Sequence, residues 1–269
     1  MYQVLVPVDE SESRAVHQAK YVARLPKAAE AVEATVLHVS PPDGSEPPAF
    51  ADVGAAVEAA AHLEGAGVAV NRQVEAGQVA EEIILAADGI EADEIVVGGR
   101  KRSGVMKVLL GSRAQDVLLS AERPVTITGE RVEIGEGIRR VLVPVDQDER
   151  RAHHQAEYVA NLPDAPETVE ATVFLVFRHE DYTGAPPREF GDVPAAEEAA
   201  AHLEDAGVPV ERVHTGGEIT KKILEAADEI GADGIVMGGR KRSGVQKVLM
   251  GSTTQDVVLS AEYPVTLTG

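Results

Sequence analysis

The chain repeats itself. VLVPVDESESRAVHQAKYVARLP at Val4–Pro26 returns as VLVPVDQDERRAHHQAEYVANLP at Val141–Pro163, and AAAHLEGAGV at Ala59–Val68 returns as AAAHLEDAGV at Ala199–Val208. QDVLLSAERPVTITG at Gln115–Gly129 matches QDVVLSAEYPVTLTG at Gln255–Gly269. The offset is 137 residues early and 140 later, so the second repeat carries three extra residues in the loop that corresponds to Ser40–Ala51. A period this long marks a duplicated domain rather than a solenoid, so one fold must serve both repeats. The domains are expected at residues 1–130 and 138–269, with the polar, glycine-bearing ERVEIGEG at Glu130–Gly137 between them.

Within each repeat, strand and helix patterns alternate. Tyr2–Val8 is a short apolar run, which reads as a buried strand. Ser11–Leu25 places Ala15, Ala19, Val22 and Leu25 at helical spacing behind Ser11 as N-cap. Strands are predicted at Ala34–Val39, Val68–Val74, Glu94–Val97 and Pro124–Thr128, and helices at Val53–Ala66, Val79–Ile90 and Ser112–Ala121. This order argues for an open, doubly wound parallel α/β sheet in each repeat. Pro7 and Pro144 interrupt the first strand of each repeat and are expected near its end.

Charge narrows the function. Asp plus Glu total 45 against 25 Lys plus Arg, and the excess is spread evenly: 20 acids against 11 cations in residues 1–130, and 25 against 14 in the rest. Such a surface fits either a salt-rich cytoplasm, where screening removes self-repulsion, or an ordinary acidic cytosolic protein. Nucleic acid is a poor partner, because a phosphate backbone needs a basic face. No apolar run is long enough for a membrane helix, and the acidic N-terminal stretch does not resemble a secretory signal. The absence of cysteine removes disulfides, thiolate nucleophiles and sulfur-ligated metals. A cytoplasmic location is expected.

Against this background the cations cluster. GGRKRSGVMKVLLGS at Gly98–Ser112 recurs as GGRKRSGVQKVLMGS at Gly238–Ser252. Gly98 to Gln115 holds five cations and no acid, and Gly238 to Gln255 holds four and no acid. The loop leaves the carboxyl edge of the fourth strand, where ligands of doubly wound sheets sit. It ends on Ser112 and Gln115, or Ser252 and Gln255, which read as a capping box opening a helix. A helix N-terminus offers unpaired N–H groups to an anion, and glycines let backbone approach it closely. The spacing therefore points to a phosphate-type anion.

VLVPVD in the first strand, LHV at Leu37–Val39 and a glycine loop closing on Gly-Ser resemble the universal stress proteins, over essentially the whole chain outside the linker. The resemblance implies two tandem five-stranded sheets of order 3-2-1-4-5, Rossmann-like and of the adenine nucleotide alpha hydrolase type. It also implies binding of ATP or AMP, with Mg²⁺, in each domain. Asp9 and Asp146 match the aspartate near the ribose and metal, and Val39 and Val176 the residue whose backbone reads adenine. Gly98, Gly111 and Ser112, with Gly238, Gly251 and Ser252, match the phosphate cradle. Lys101 and Lys241 replace its second glycine, and Gly104 and Gly244 fall three residues later. A lysine there either crowds the phosphate or pairs with it as a point charge.

The alternative for Asp9 is a cap for the helix that follows it. The eight histidines show no metal-ligand spacing, and His62 and His202 read as helix-surface residues. Neither a nucleophile elbow nor a P-loop is present, so no catalytic residue is nominated and any ATP hydrolysis would be slow and incidental. The competing readings are a nucleotide-free scaffold acting through protein contacts and a nucleotide-dependent transferase. The fifth strand of each repeat is expected at an exposed sheet edge. The resemblance implies that it pairs antiparallel, as an intrachain pseudo-dimer or a homodimer.

Overall fold

A computed structural model describes residues 1–42, 46–101, 108–109, 111–129, 137–177, 189–239 and 251–269. The first repeat runs β1 (Tyr2–Val8), α1 (Glu12–Ala23), α2 (Ala28–Ala31), β2 (Val32–Ser40), α3 (Gly54–Gly65), β3 (Ala69–Ala76), α4 (Val79–Gly89) and β4 (Glu94–Gly98). A small hairpin of β5 (Arg100–Lys101) and β6 (Val108–Leu109) follows, then α5 (Ser112–Ser120) and β7 (Val125–Thr128). The second repeat runs β8 (Arg139–Val145), α6 (Glu149–Ala160), α7 (Ala165–Thr168), β9 (Val169–Phe177), α8 (Pro194–Asp205), β10 (Val210–Gly216), α9 (Ile219–Ile230), β11 (Gly234–Gly238), α10 (Ser252–Ser260) and β12 (Val265–Thr268). Apart from Gly137, the linker lies outside the described residues.

Apart from β5 and β6, which pair only with each other, the described strands form one sheet of order β10-β9-β8-β11-β12-β7-β4-β1-β2-β3, in which each repeat contributes parallel strands in the order 3-2-1-4-5. β7 and β12 meet antiparallel, with Val125 opposite Leu267 and Ile127 opposite Val265. The fifth strand is therefore no exposed edge. Val125 to Thr128 are all buried, because the equivalent strand of the other repeat covers them. The helices lie on both faces: α1, α3, α6 and α8 cover one core and α4, α5, α9 and α10 the other, and each core runs through both repeats. Alanines at 15, 19, 55, 56, 59 and 60 are buried on α1 and α3, two helices that pack against each other.

Two local expectations change. Ser11 stands at the N-cap of α1 but makes no side-chain cap bond; Asp9 accepts the Ser11 N–H at 2.9 Å instead. Neither capping box forms. Gly111 and Gly251 take the extended N-cap conformation, so Ser112 and Ser252 become the first helical residues and their hydroxyls lie too far along to cap. The helix-closing bond is Gln115 N–H to the Gly111 carbonyl at 3.0 Å, which leaves the preceding N–H groups without intrahelical partners.

Equivalent residues meet where the repeats join. Thr126 and Thr266 share a hydroxyl hydrogen bond of 2.7 Å, and Tyr21 and Tyr158 one of 3.2 Å, so a local pseudo-twofold passes between them. Beside it lies Glu94, fully buried, accepting hydrogen bonds from Tyr21 Oη at 2.8 Å and Tyr2 Oη at 3.2 Å, and from Thr126. Burial pushes the Glu94 carboxyl above the usual range, and the hydroxyl donors and Arg139 pull it part of the way back. The Tyr21 phenol, buried beside it, is pushed up to about 12.

An acid with a raised folded-state pKa contributes stability that is full below the unfolded value, about 4.3, and fades as pH rises through the folded value. Urea unfolding of wild type and Glu94→Gln at a series of pH values above about 4 should show the wild-type advantage shrinking as pH rises. A difference that stays flat, or grows, would mean that Glu94 is ionised throughout.

Candidate functional site: the crevice between β1 and β4

β1 pairs with β2 along its whole length but with β4 only at Val4–Glu94 and Leu5–Ile95. Beyond that point the two strands part, and a crevice opens at the carboxyl edge of the sheet. Gln18 of α1, 2 % exposed, fills the parting. Its Nε2 donates to the Pro7 carbonyl at 2.8 Å and to the Val96 carbonyl at 2.7 Å. The N–H and C=O of a strand residue point to the same side, so Pro7 would have aimed its missing N–H into this gap. The proline forfeits no ladder bond, which is why it is tolerated in a buried strand. Gln155 repeats the device, at 2.7 Å from both the Pro144 and the Val236 carbonyls.

Above Gln18 lies a cavity of about 530 Å³, within the usual range for small-molecule sites. Val39, Ile83, Val97 and Val117 give it an apolar wall, and Asp9, Arg14 and His38 a polar rim. Gly98 lies at its floor, and Gly111 and Ser112 bring the N-terminus of α5 to its mouth. Asp9 is anchored on both oxygens, one taking the Ser11 N–H and the other the Arg14 guanidinium, and its side chain stays 35 % exposed. His38 Nδ1 lies 3.3 Å from the Val8 carbonyl. An ideal Cβ on Gly98 would stand 3.1 Å from Arg14 Cβ and 3.2 Å from Gln18 Oε1, so a side chain there would crowd the floor. Chemically, the cavity joins an apolar slot to an anion-facing helix start.

The universal stress protein family matches residues 1–129 and again residues 137–269. The chain belongs to that family. A solved universal stress protein from Archaeoglobus fulgidus is 25 % identical, with a TM-score of 0.72, and the match covers 99 % of this chain and 97 % of that one. A universal stress protein from Mycolicibacterium smegmatis is 42 % identical over 66 residues, which is 24 % of this chain and 51 % of the relative. Another, from Methanocaldococcus jannaschii, is 32 % identical over 63 residues, 23 % of this chain and 39 % of the relative. The chain thus spans about half, or less, of these two curated relatives.

In this universal stress protein, five residues singled out by sequence gather at one cavity: Asp9, Val39, Gly98, Gly111 and Ser112. Lys101 lies in the hairpin, its backbone paired with Val108. Gly104, Lys241 and Gly244 lie outside the described residues. In the second repeat Asp146 follows β8, Val176 lies near the end of β9, Gly238 ends β11, and Gly251 and Ser252 open α10. Asp146 there accepts the Asp148 N–H at 2.9 Å and pairs with Arg151, which also reaches Asp148 at 3.0 Å.

Sequence reasoning missed Arg14, Gln18 and His38. The first two had a signal, since both are retained in the second repeat as Arg151 and Gln155. His38 is replaced by Leu175 in the second repeat and stood out only as the middle residue of LHV. Among the described residues no cluster of three His, Asp or Glu could hold a metal ion, and no helix is long and apolar enough to cross a membrane.

Proposed function

We propose that the chain is a stress-response binding protein that takes an adenine nucleotide, ATP or AMP, in the crevice of each of its two domains. The observation that carries this reading is the 530 Å³ cavity at the β1–β4 parting, apolar on one side and closed by the N-terminus of α5 on the other. The base lies against Val39 and the neighbouring aliphatic side chains, and the ribose near Asp9. The phosphates lie on the Gly111–Ser112 turn and the basic loop before it. The same arrangement in the second domain uses Asp146, Val176, Gly238, Gly251 and Ser252. Asp9 and Asp146 are the residues that would stand beside a Mg²⁺ ion brought in with a triphosphate, and the ion would supply charge neutralisation there. The protein binds rather than turns over its ligand, and it works in the cytoplasm as a closed pair of domains, residues 1–130 and 138–269, joined through their last strands.

Calorimetric titration with ATP and AMP, with and without Mg²⁺ and in high salt, tests the reading. Saturable heat with both nucleotides is expected. Absence of heat, together with no nucleotide released on denaturation, would leave the scaffold reading in its place. Phosphate release well above background would overturn the binding-only role.

The basic loop gives a second test. A lysine acting as a point charge on phosphate adds a charge-assisted hydrogen bond, a contribution of about 1.5 kcal/mol or roughly tenfold in affinity. Lys101→Gly with Lys241→Gly is therefore expected to weaken ATP about tenfold and AMP less. Tighter binding in that variant would mean that the lysines occupy space the phosphates need.

A further inference from the structure

The junction between the repeats joins equivalent positions that carry unequal chemistry. Glu94, fully buried beside the pseudo-twofold, has Gly234 as its counterpart. Arg139, 4 % exposed, has Tyr2 as its counterpart. The Arg139 guanidinium lies 5.0 Å from the ring centre of Tyr21 in the other repeat, and its Nη1 donates to the Arg24 carbonyl at 3.3 Å. It occupies the space over the missing side chain of Gly234, with Nη2 3.6 Å from where a Cβ would stand. Arg24 in turn reaches Asp233 at 3.1 Å, while its counterpart is the neutral Asn161. Lys27 pairs with Asp164 at 3.1 Å, and these two are each other's equivalents.

We propose that this junction is a selective docking surface: each repeat's face accepts the other repeat and rejects its own kind, with Glu94 and Arg139 as the deciding residues. A pair made of two first repeats would bury two Glu94 carboxyls in one dry space, with Tyr2 where Arg139 belongs, and would set Lys27 against Lys27. A pair of two second repeats would bury two Arg139 guanidiniums with glycine where Glu94 belongs, and would set Asp164 against Asp164. Two guanidiniums in one dry space repel each other, and two carboxyls there can remain only by holding protons, so either like pair is unfavourable, whereas the exposed Lys27–Asp164 contact adds little beyond its sign. The preferred partner of a first repeat is therefore a second repeat, its own or that of another chain.

The test starts from the intact protein. A protease site is placed between residues 130 and 137, the folded chain is cut there, and ordinary and ¹⁵N-labelled preparations are mixed. They are unfolded in urea and refolded by dilution, and the products are weighed by native mass spectrometry. The expected products contain one first and one second repeat, with labels scrambled and like pairs below about one in twenty. Like pairs at their statistical share, or fragments that refold without pairing, would overturn the proposal.

A second measurement leaves the chain uncut. Arg139→Tyr with Gly234→Glu gives the second repeat the first repeat's chemistry at these two positions. The thermal midpoint of that variant is expected to fall well below those of Arg139→Tyr and Gly234→Leu, which lose the cation or fill the space without adding a second carboxyl. A midpoint no lower than theirs would show that the charges do not select the partner.

Discussion

Gln18→Leu is expected to destabilise the protein by about 2–6 kcal/mol, since each of two buried carbonyls left without a donor costs about 1–3 kcal/mol. Leu is one atom shorter and branches one carbon earlier, so a small packing change accompanies the loss, but the larger part is polar. It falls on the Pro7 and Val96 carbonyls, which share the two hydrogens of one amide at 2.8 and 2.7 Å. No strand ladder can take them over, because β1 and β4 have already parted at that level. Gln155→Leu should do the same to the Pro144 and Val236 carbonyls, and distant sites of this kind add. Urea unfolding at neutral pH measures both. A loss below about 1 kcal/mol in either variant would mean that water reaches the parting and supplies the missing donors.

Gly129→Ala carries the second large effect, and it acts across the junction. An ideal Cβ at Gly129 would stand 2.0 Å from the Glu262 carbonyl oxygen and 2.6 Å from its carbon. Both are backbone atoms of the other repeat, at the turn that leads into β12, so no rotamer change relieves the clash. β7 and β12 must slide or separate, and overpacking of this kind costs about 1–3 kcal/mol or more. The thermal midpoint is expected to drop by several degrees, with a loss of amide-exchange protection concentrated in Val125–Thr128 and Val265–Thr268. Unchanged protection in those two strands would show that the junction absorbs the methyl group elsewhere.

Sequence alone went far with the elements and less far with their ends and partners. The inner strands were legible because a strand buried on both faces leaves a nearly continuous apolar run, as Val4–Val8 does. The helices were legible from their 3.6-residue spacing. The capping boxes misled because Ser-x-x-Gln fits a serine just before a helix as well as one just inside it. The conformation of Gly111 decides between the two, and that depends on where the chain leaves the basic loop.

At the site, glycine and strand position pointed to several residues that line the cavity, whereas the only sign of Gln18 was its recurrence as Gln155. A glutamine on an amphipathic helix looks like solvent face, and only the parting of two strands elsewhere gives it a reason to be buried. Glu94 and Arg139 escaped for a similar cause. Each lies at the start of a strand, where a charge is unremarkable until the second repeat closes over it.

Joining two repeats through the same strand settles what remains at the outside of the sheet. An isologous junction consumes one matching edge from each partner and leaves two outer edges that are also alike. Here those are β3 and β10, whose residues are mostly exposed or half-buried and carry Arg72 against Glu64 and Arg212 against Glu204 and Glu197. Charged outer strands discourage further pairing. Growth by strand addition therefore terminates itself at two repeats, so that a sheet of ten strands ends as a finished object rather than the beginning of a fibre.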